Sequence, residues 1–269
     1  MHKILIALFI LCSVSLFGEV VHAPNLDAIQ SKIGQLDEQA LVVFDVDFTL
    51  IIPKDQILQP AGEAYYQIFL TKLRAMKEEG ARLGSIIALQ AEVALVNPCS
   101  LTLLDQLKDR QIKTITLTAM PTGRFGTFES AEDWRFKQLK DLGIDLSWSF
   151  PEKPYIEFNS LDPSKANPVF KKGILASAKH PKGQVLAAFL NQLNLKPSHV
   201  IFIDDRMEYI HSVEAELDKA GIPHTSFHYT EALDASQTFD KALADFQLDY
   251  LLQHGTWLND AQAEAILNR

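Results

Sequence analysis

The chain has 269 residues, of which 47% are hydrophobic and 22% charged. That composition suits one α/β domain with an insertion, or two small domains, and excludes a disordered chain. A formal charge of −9 without a basic cluster excludes an electrostatic nucleic-acid surface.

The N-terminus carries an export pattern. Met1-His2-Lys3 is a short basic start, Ile4 to Phe17 is an uncharged run of 14 residues, and Val21-His22-Ala23 puts small residues at the two cleavage-determining positions. This predicts a signal peptide over 1–23, a mature domain over 24–269, and a periplasmic or secreted bacterial protein. The apolar run falls short of the roughly 20 residues of a membrane helix, so no stable membrane span is expected after its removal. Phe9-Ile10-Leu11 lacks the small residues that lipid attachment at Cys12 requires. Cleavage removes Lys3 and Glu19 together, so the net charge persists. Cys99 then remains alone and cannot form an internal disulfide.

Asn25 to Gln39 reads as a leading helix. Leu41-Val42-Val43-Phe44 is a continuous apolar run, the pattern of a strand buried on both faces, and Asp45 follows it at once. Helical spacing recurs over Pro60 to Lys77 and Gly84 to Val96. Ser100 is placed to cap a helix over Leu101 to Arg110. A strand over Ile112 to Leu117 ends at Thr118, and a helix over Glu132 to Leu142 is closed by Gly143. Val169 to Ala176 has the shape of a hairpin around Lys171-Lys172-Gly173. After it come a helix over Gly183 to Leu195, a buried strand over Val200 to Ile203, a helix over Met207 to Ala220 and a strand over Thr225 to Tyr229. The remainder, from Glu231, is mostly helical in pattern. Such alternation predicts an α/β fold with a parallel sheet, whose ligand site lies beyond the carboxyl ends of the strands.

The residues at those ends are Asp45, Thr118 and Asp204-Asp205. Asp45 and Asp47 stand two apart after one strand, and Asp204 and Asp205 end another. Like charges crowded into one small site need a cation, and a hard divalent ion takes oxygen ligands. Taken singly, each acidic residue reads as a turn or helix cap; their shared position on different strands favours one site. Thr118 can donate its hydroxyl and neighbouring N–H groups to an anion, and Lys182 opens a helix whose N-terminus also favours one.

The order Asp45-x-Asp47-x-Thr49-Leu50, Thr118, Lys182-Gly183, Asp204-Asp205 resembles the four-motif signature of the haloacid dehalogenase-like (HAD) superfamily. The first motif, Val42-Val43-Phe44-Asp45-Val46-Asp47-Phe48-Thr49-Leu50, is the specific one. The resemblance covers about Leu41 to Tyr229 and is closest to a secreted bacterial HAD-like family of unknown function. Trp134-Arg135, Leu142-Gly143-Ile144-Asp145 and Gly173-Ile174-Leu175 support that narrower match. It implies a three-layer HAD-like Rossmannoid parallel sheet with helical or mixed cap insertions over 53–99 and 119–181.

The resemblance further implies a phosphatase acting on a small phosphorylated substrate. Asp45 would be the nucleophile and Asp47 the general acid and base. Mg2+ would be held by Asp45, the main-chain carbonyl of Asp47, and Asp205, with Asp204 direct or one shell out. Thr118 and Lys182 would hold the phosphoryl oxygens. An acid at position 47 sets phosphatases apart from the dehalogenase members. Lys172 is the rival for the lysine role, but it sits in the hairpin. Arg124 is within reach of a substrate anion or is a loop residue, and the tryptophans read as packing. The alternative is a non-catalytic HAD-like binding protein of the envelope or secreted space; a phospho-acceptor signalling domain would place its acidic pair first.

Overall fold

The computed structural model describes residues 18–159, 162–234 and 238–268. Most of the expected signal peptide, residues 1–17, lies outside them. In chain order the strands are β1 (Glu19–Ala23), β2 (Leu41–Phe44), β3 (Ile51–Pro53), β4 (Val93–Leu95), β5 (Lys113–Thr118), β6 (Tyr155–Glu157), β7 (Val169–Lys171), β8 (Ile174–Ala176), β9 (Val200–Asp204) and β10 (His224–Tyr229). The helices are α1 (Asp27–Gly34), α2 (Glu63–Ala75), α3 (Glu78–Gln90), α4 (Cys99–Asp109), α5 (Ala131–Asp141), α6 (Lys182–Gln192), α7 (Met207–Ala220), α8 (Glu231–Asp234), α9 (Lys241–His254) and α10 (Asp260–Leu267).

Eight strands form one sheet in the order β1-β10-β9-β2-β5-β8-β7-β6. The first six are mutually parallel, and the hairpin strands β7 and β6 extend the edge antiparallel. The apolar runs explain why. Every residue of β2 and of β9 is buried, because helices cover both faces. Val42 and Phe44 join one core with Ile29, Leu103 and Leu107, from α1 and α4. Leu41 and Val43 point the other way and pack with Val185, Phe189, Ile210 and Val213, from α6 and α7. Each such side chain contributes roughly 1.5–3 kcal/mol by leaving water. The architecture is therefore α/β, a mostly parallel sheet flanked by helices, compatible with a Rossmann-like three-layer fold.

The strand-and-helix alternation expected from the sequence is present, with shifted ends. α1 is confined to Asp27–Gly34. α3 starts at Glu78 rather than Gly84 and stops at Gln90, which frees Val93–Leu95 to pair antiparallel with β3. Ser100 lies inside α4 rather than capping it; the Asn97 side chain accepts from the Cys99 N–H instead.

The two stretches expected as caps differ in kind. α2 and α3 sit in the connection between β3 and β4, outside the sheet. The stretch 119–181 instead supplies α5 and three strands of the central sheet, so only its first loop and α5 border the cleft. The C-terminal segment completes the cover over α2 and α3. Phe69, Leu73 and Leu83 form a separate core with Leu248, Leu251 and Trp257. Buried Asp55 fixes this join, accepting from Trp257 Nε1 at 2.8 Å and from the Asp260 N–H at 3.1 Å. The Tyr65 hydroxyl donates to Asp245 from across the same seam. Among the described residues no helix is long and apolar enough to cross a membrane.

Cleavage after Ala23 would remove β1, which pairs along its whole length with β10. Ala23 is fully buried, and its carbonyl accepts from the Thr230 N–H at 3.0 Å. A chain beginning at Pro24 is expected to melt below one beginning at Glu19, by about 2–4 °C per kcal/mol lost. Thermal denaturation of the two chains checks this, and equal midpoints would mean that β1 adds no stability.

Candidate active site

β2, β5 and β9 run side by side in register, so their carboxyl ends share one rim. Asp45 follows β2, Thr118 ends β5, and Asp204 ends β9 with Asp205 next. The Asp45 N–H donates to the Ile203 carbonyl at 2.8 Å, which holds the two acidic turns together. Asp45, Asp204 and Asp205 each offer a carboxylate oxygen, all within 4.8 Å of one another. All three residues are buried, at 5%, 0% and 6% exposure.

Lys182 enters from the first turn of α6. It can do so because Gly183 lies flush on α7; a Cβ there would overlap the Ser212 carbonyl. Lys182 is 1% exposed, and its Nζ donates to Asp45 Oδ1 at 2.6 Å and to Asp204 Oδ2 at 2.7 Å. Its ammonium also sits 4.3 Å from the centre of the Tyr209 ring. Burial pulls the lysine's pKa down, but attraction to Asp45 and Asp204 outweighs it and holds the ammonium above its ordinary range. Burial pushes the Asp45 carboxyl up, opposed by Lys182. It carries Asp204 up to about 7 and Asp205 up to about 8, each reinforced by the charge on Asp45.

The donor set fits a hard divalent cation. Three carboxylates face one ammonium, leaving two negative charges when all are ionised. Every donor is an oxygen, as Mg2+ and Ca2+ require. Asp204 spends Oδ2 on Lys182 and Oδ1 on the Arg206 N–H, whereas Lys182 does not reach Asp205. Asp205 is therefore the better direct ligand, and Asp204 orients the lysine.

Asp47 stands apart from that trio. Its side chain is 46% exposed and is gripped by Arg135, at 3.0 Å to Oδ1 and 3.1 Å to Oδ2. Arg135 is held in turn by Gln138 at 2.6 Å and lies 4.6 Å from the Trp134 ring centre. Asp47 is aimed by a tight turn in which the Leu50 N–H returns to the Val46 carbonyl. Phe48 takes a left-handed conformation there, φ 62°, a strained choice for a residue with a side chain.

A cleft of about 510 Å³ opens over this rim. Asp45, Asp47, Thr118, Lys182 and Asp205 line its floor, and the α2–α3 insertion and the loop after β5 form its walls. Six residues singled out in the sequence thus occupy one region: five on the cleft floor, and Asp204 beneath them through Lys182. Lys172 does not join them; it sits at the hairpin turn, over the Phe136 ring. Arg124 is exposed and outside the cleft lining.

Sequence reasoning assigned Arg135 no chemical role, yet it is the arginine that pairs with Asp47. Its position in the second turn of α5, directly after Trp134, was the available signal. Trp134 packs as expected, against Met120 and Ala131 and stacked on Phe128 at 4.8 Å, and it also lines the cleft.

Comparison with known proteins gives relatives but no activity. An uncharacterized protein of Rickettsia prowazekii (strain Madrid E) is 23% identical over 258 residues, spanning 94% of this chain and 93% of that protein. An uncharacterized protein of Rickettsia bellii (strain RML369-C) is 28% identical over 231 residues, 80% of this chain and 78% of its own length. One from Rickettsia typhi (strain ATCC VR-144 / Wilmington) reaches 38% over a shorter 131 residues, 47% of this chain and 44% of that protein. No solved structure matches at a significant level. A family model described as "Protein of unknown function (DUF2608)" matches residues 22–264, nearly the whole chain, and the protein belongs to that family.

Proposed function

We propose that the chain is an exported, Mg2+-dependent phosphatase of the HAD type, hydrolysing a phosphate monoester through an aspartyl-phosphate on Asp45. The observation that carries this is the buried trio of Asp45, Asp204 and Asp205, joined to Lys182 under an open cleft. Stability alone does not call for such a group, since burying three carboxylates around one ammonium is costly.

In this proposal Asp45, Asp205 and the main-chain carbonyl of Asp47 would hold Mg2+. Its positive charge would offset the carboxylates and the phosphoryl oxygens. An Asp45 oxygen attacks phosphorus while the bond to the leaving oxygen breaks. Asp47 in its protonated form gives that oxygen a proton, and the alcohol departs. Asp47, now ionised, takes a proton from a water whose oxygen attacks phosphorus, and Asp45 is released with inorganic phosphate. Lys182 and the Thr118 hydroxyl hold the phosphoryl oxygens throughout. Arg135 holds the Asp47 carboxyl from one side, at 3.0 Å and 3.1 Å.

The test is turnover of 4-nitrophenyl phosphate by the purified protein with Mg2+, beside Asp45→Asn. Turnover is expected to vanish with chelator and to fall by at least about 10³-fold in the variant, on the scale of losing a catalytic group. Equal turnover by both proteins would remove Asp45 as the nucleophile. A binding protein is the second reading, favoured by the Arg135 pair that occupies Asp47. Mg2+-dependent binding of a phosphate mimic, with no turnover across a broad ester panel, would select it.

A further inference from the structure

The cleft walls differ in chemistry from its floor. Above the carboxylates the lining is apolar and aromatic: Tyr66, Leu70 and Ile87 from the insertion face Phe125, Phe128 and Trp134 from the other side. Phe128 and Trp134 stack with nearly parallel rings, 13° apart in plane and 4.8 Å between centroids, which makes that wall aromatic. At about 510 Å³ the cleft has room for a ring or a chain of several carbons beyond a phosphate group.

The basic lining residues each already face an acid. Arg135 is paired with Asp47, Lys182 with Asp45 and Asp204, and Arg206 with Glu208 at 2.9 Å. Glu63 is the charged residue the insertion adds to the cleft. A second phosphate or carboxylate on the substrate would therefore meet an acid and no uncommitted base among the described lining residues. A sugar would need several hydrogen-bonding partners on the walls. Gln67 and Gln138 are the side-chain amides lining them, beside the Tyr66 and Tyr209 hydroxyls, and the Gln138 oxygen already accepts from Arg135. Sugar hydroxyls left unpaired against the apolar walls would cost binding energy.

We infer that the substrate is a phosphate monoester whose alcohol portion is apolar and uncharged, seated between the insertion helices and the Phe128–Trp134 wall. This rests on the phosphatase proposal for the floor of the same cleft. The leaving group packs on Tyr66, Leu70 and Trp134, and the phosphate lies beside Lys182 and Thr118. Aromatic and aliphatic groups share this chemistry, and separate arms of the experiment distinguish them.

The test uses esters of primary alcohols, so that differences in leaving-group reactivity do not dominate. Benzyl and n-octyl phosphates are compared with glycerol 3-phosphate and glucose 6-phosphate, as kcat/KM with Mg2+ present. The better apolar ester is expected to exceed both polar ones by at least about 30-fold, the scale set by burying a phenyl-sized group. A higher value for benzyl phosphate identifies an aromatic group, and one for n-octyl phosphate an aliphatic group. Leu70→Asn and Trp134→Ala are each expected to shrink the ratio by about 5-fold or more, with melting curves to confirm folding. Calorimetric binding of the same four esters to Asp45→Asn, with Mg2+, gives a readout free of chemistry. If nothing is turned over but benzyl or n-octyl phosphate still binds at least 10-fold tighter than the polar esters, the catalytic proposal falls and the cleft assignment stands. If all four esters are bound alike, or the polar ones lead, the cleft assignment is overturned; turnover of all four alike does the same while the catalytic proposal stands.

Discussion

Lys182→Met is expected to abolish phosphate-ester turnover and to lower the melting point by about 10 °C at pH 8 in metal-free buffer. Removing one partner of a buried ion pair costs about 3–5 kcal/mol, because the remaining charge stays buried without compensation. At about 2–4 °C per kcal/mol for a chain of this size, that gives the stated drop. Two carboxylates are left here rather than one, since the ammonium contacts both Asp45 and Asp204. Methionine matches the length of the aliphatic stem, so packing against Tyr209 is largely retained. Acid should relieve the defect, because a protonated carboxyl needs no cation. The difference from wild type should therefore shrink between pH 8 and pH 5. Adding Asp204→Asn should restore part of the loss, which a double-mutant cycle by thermal melting would measure. A Lys182→Met protein as stable as wild type at pH 8 would show that the ammonium does not compensate these acids.

The strands that build this site were legible because burial on both faces leaves a simple mark. Leu41 to Phe44 and Val200 to Ile203 are unbroken apolar runs, each ending in aspartate, and both proved to be central strands. Lys182 was legible for a related reason, standing at a helix start just ahead of one of them. Arg135 was not. It lies 88 residues from Asp47, on a helix whose sequence pattern reports only which face is apolar. Nothing in such a pattern says that a buried arginine on that helix will meet a distant carboxylate. The C-terminal cover was hidden in the same way. Asp55 and Trp257 are 202 residues apart, and the reading of Trp257 as packing named no partner for it. β4 was missed because Val93 to Leu95 continues a helical spacing, and only pairing with β3 makes the extended form preferable.

The Asp47–Arg135 pair bears on how the cleft would work. Asp45 and Lys182 are locked by buried contacts, whereas Asp47 is half exposed and held from one side only. The rigid members of the site are those that would meet the phosphoryl group in both half-reactions. The movable one is the group that, on the proposed mechanism, would hold a proton in one half-reaction and release it in the other.

Metal-free protein is expected to lose stability as pH rises from 6 to 8.5, and Mg2+ is expected to reverse the loss. Folding raises Asp204 to about 7 and Asp205 to about 8, chiefly through burial. In the unfolded chain both titrate near the ordinary carboxylate value of about 4. Between those limits the folded state binds more protons than the unfolded one. The stability linked to these groups is thus complete below about pH 4 and is lost as pH climbs through 7 and 8. Lys182 does not alter this window, because its raised value moves its own loss to more alkaline pH. His199, held below the ordinary imidazole range by burial, gives the opposite slope as pH rises toward that range. The reference is therefore Asp205→Asn, which keeps His199 and removes one titrating acid. A divalent ion competes with the protons on Asp205 and Asp45, so its affinity should rise with pH. Stabilisation of about 2.7 kcal/mol is expected at 100 times the dissociation constant, or several degrees in the melting point. The Mg2+-induced shift should be small at pH 6, largest at pH 8.5 and lost in Asp205→Asn. A shift that ignores pH, or that survives in Asp205→Asn, would place the cation somewhere other than the carboxylates at the ends of β2 and β9.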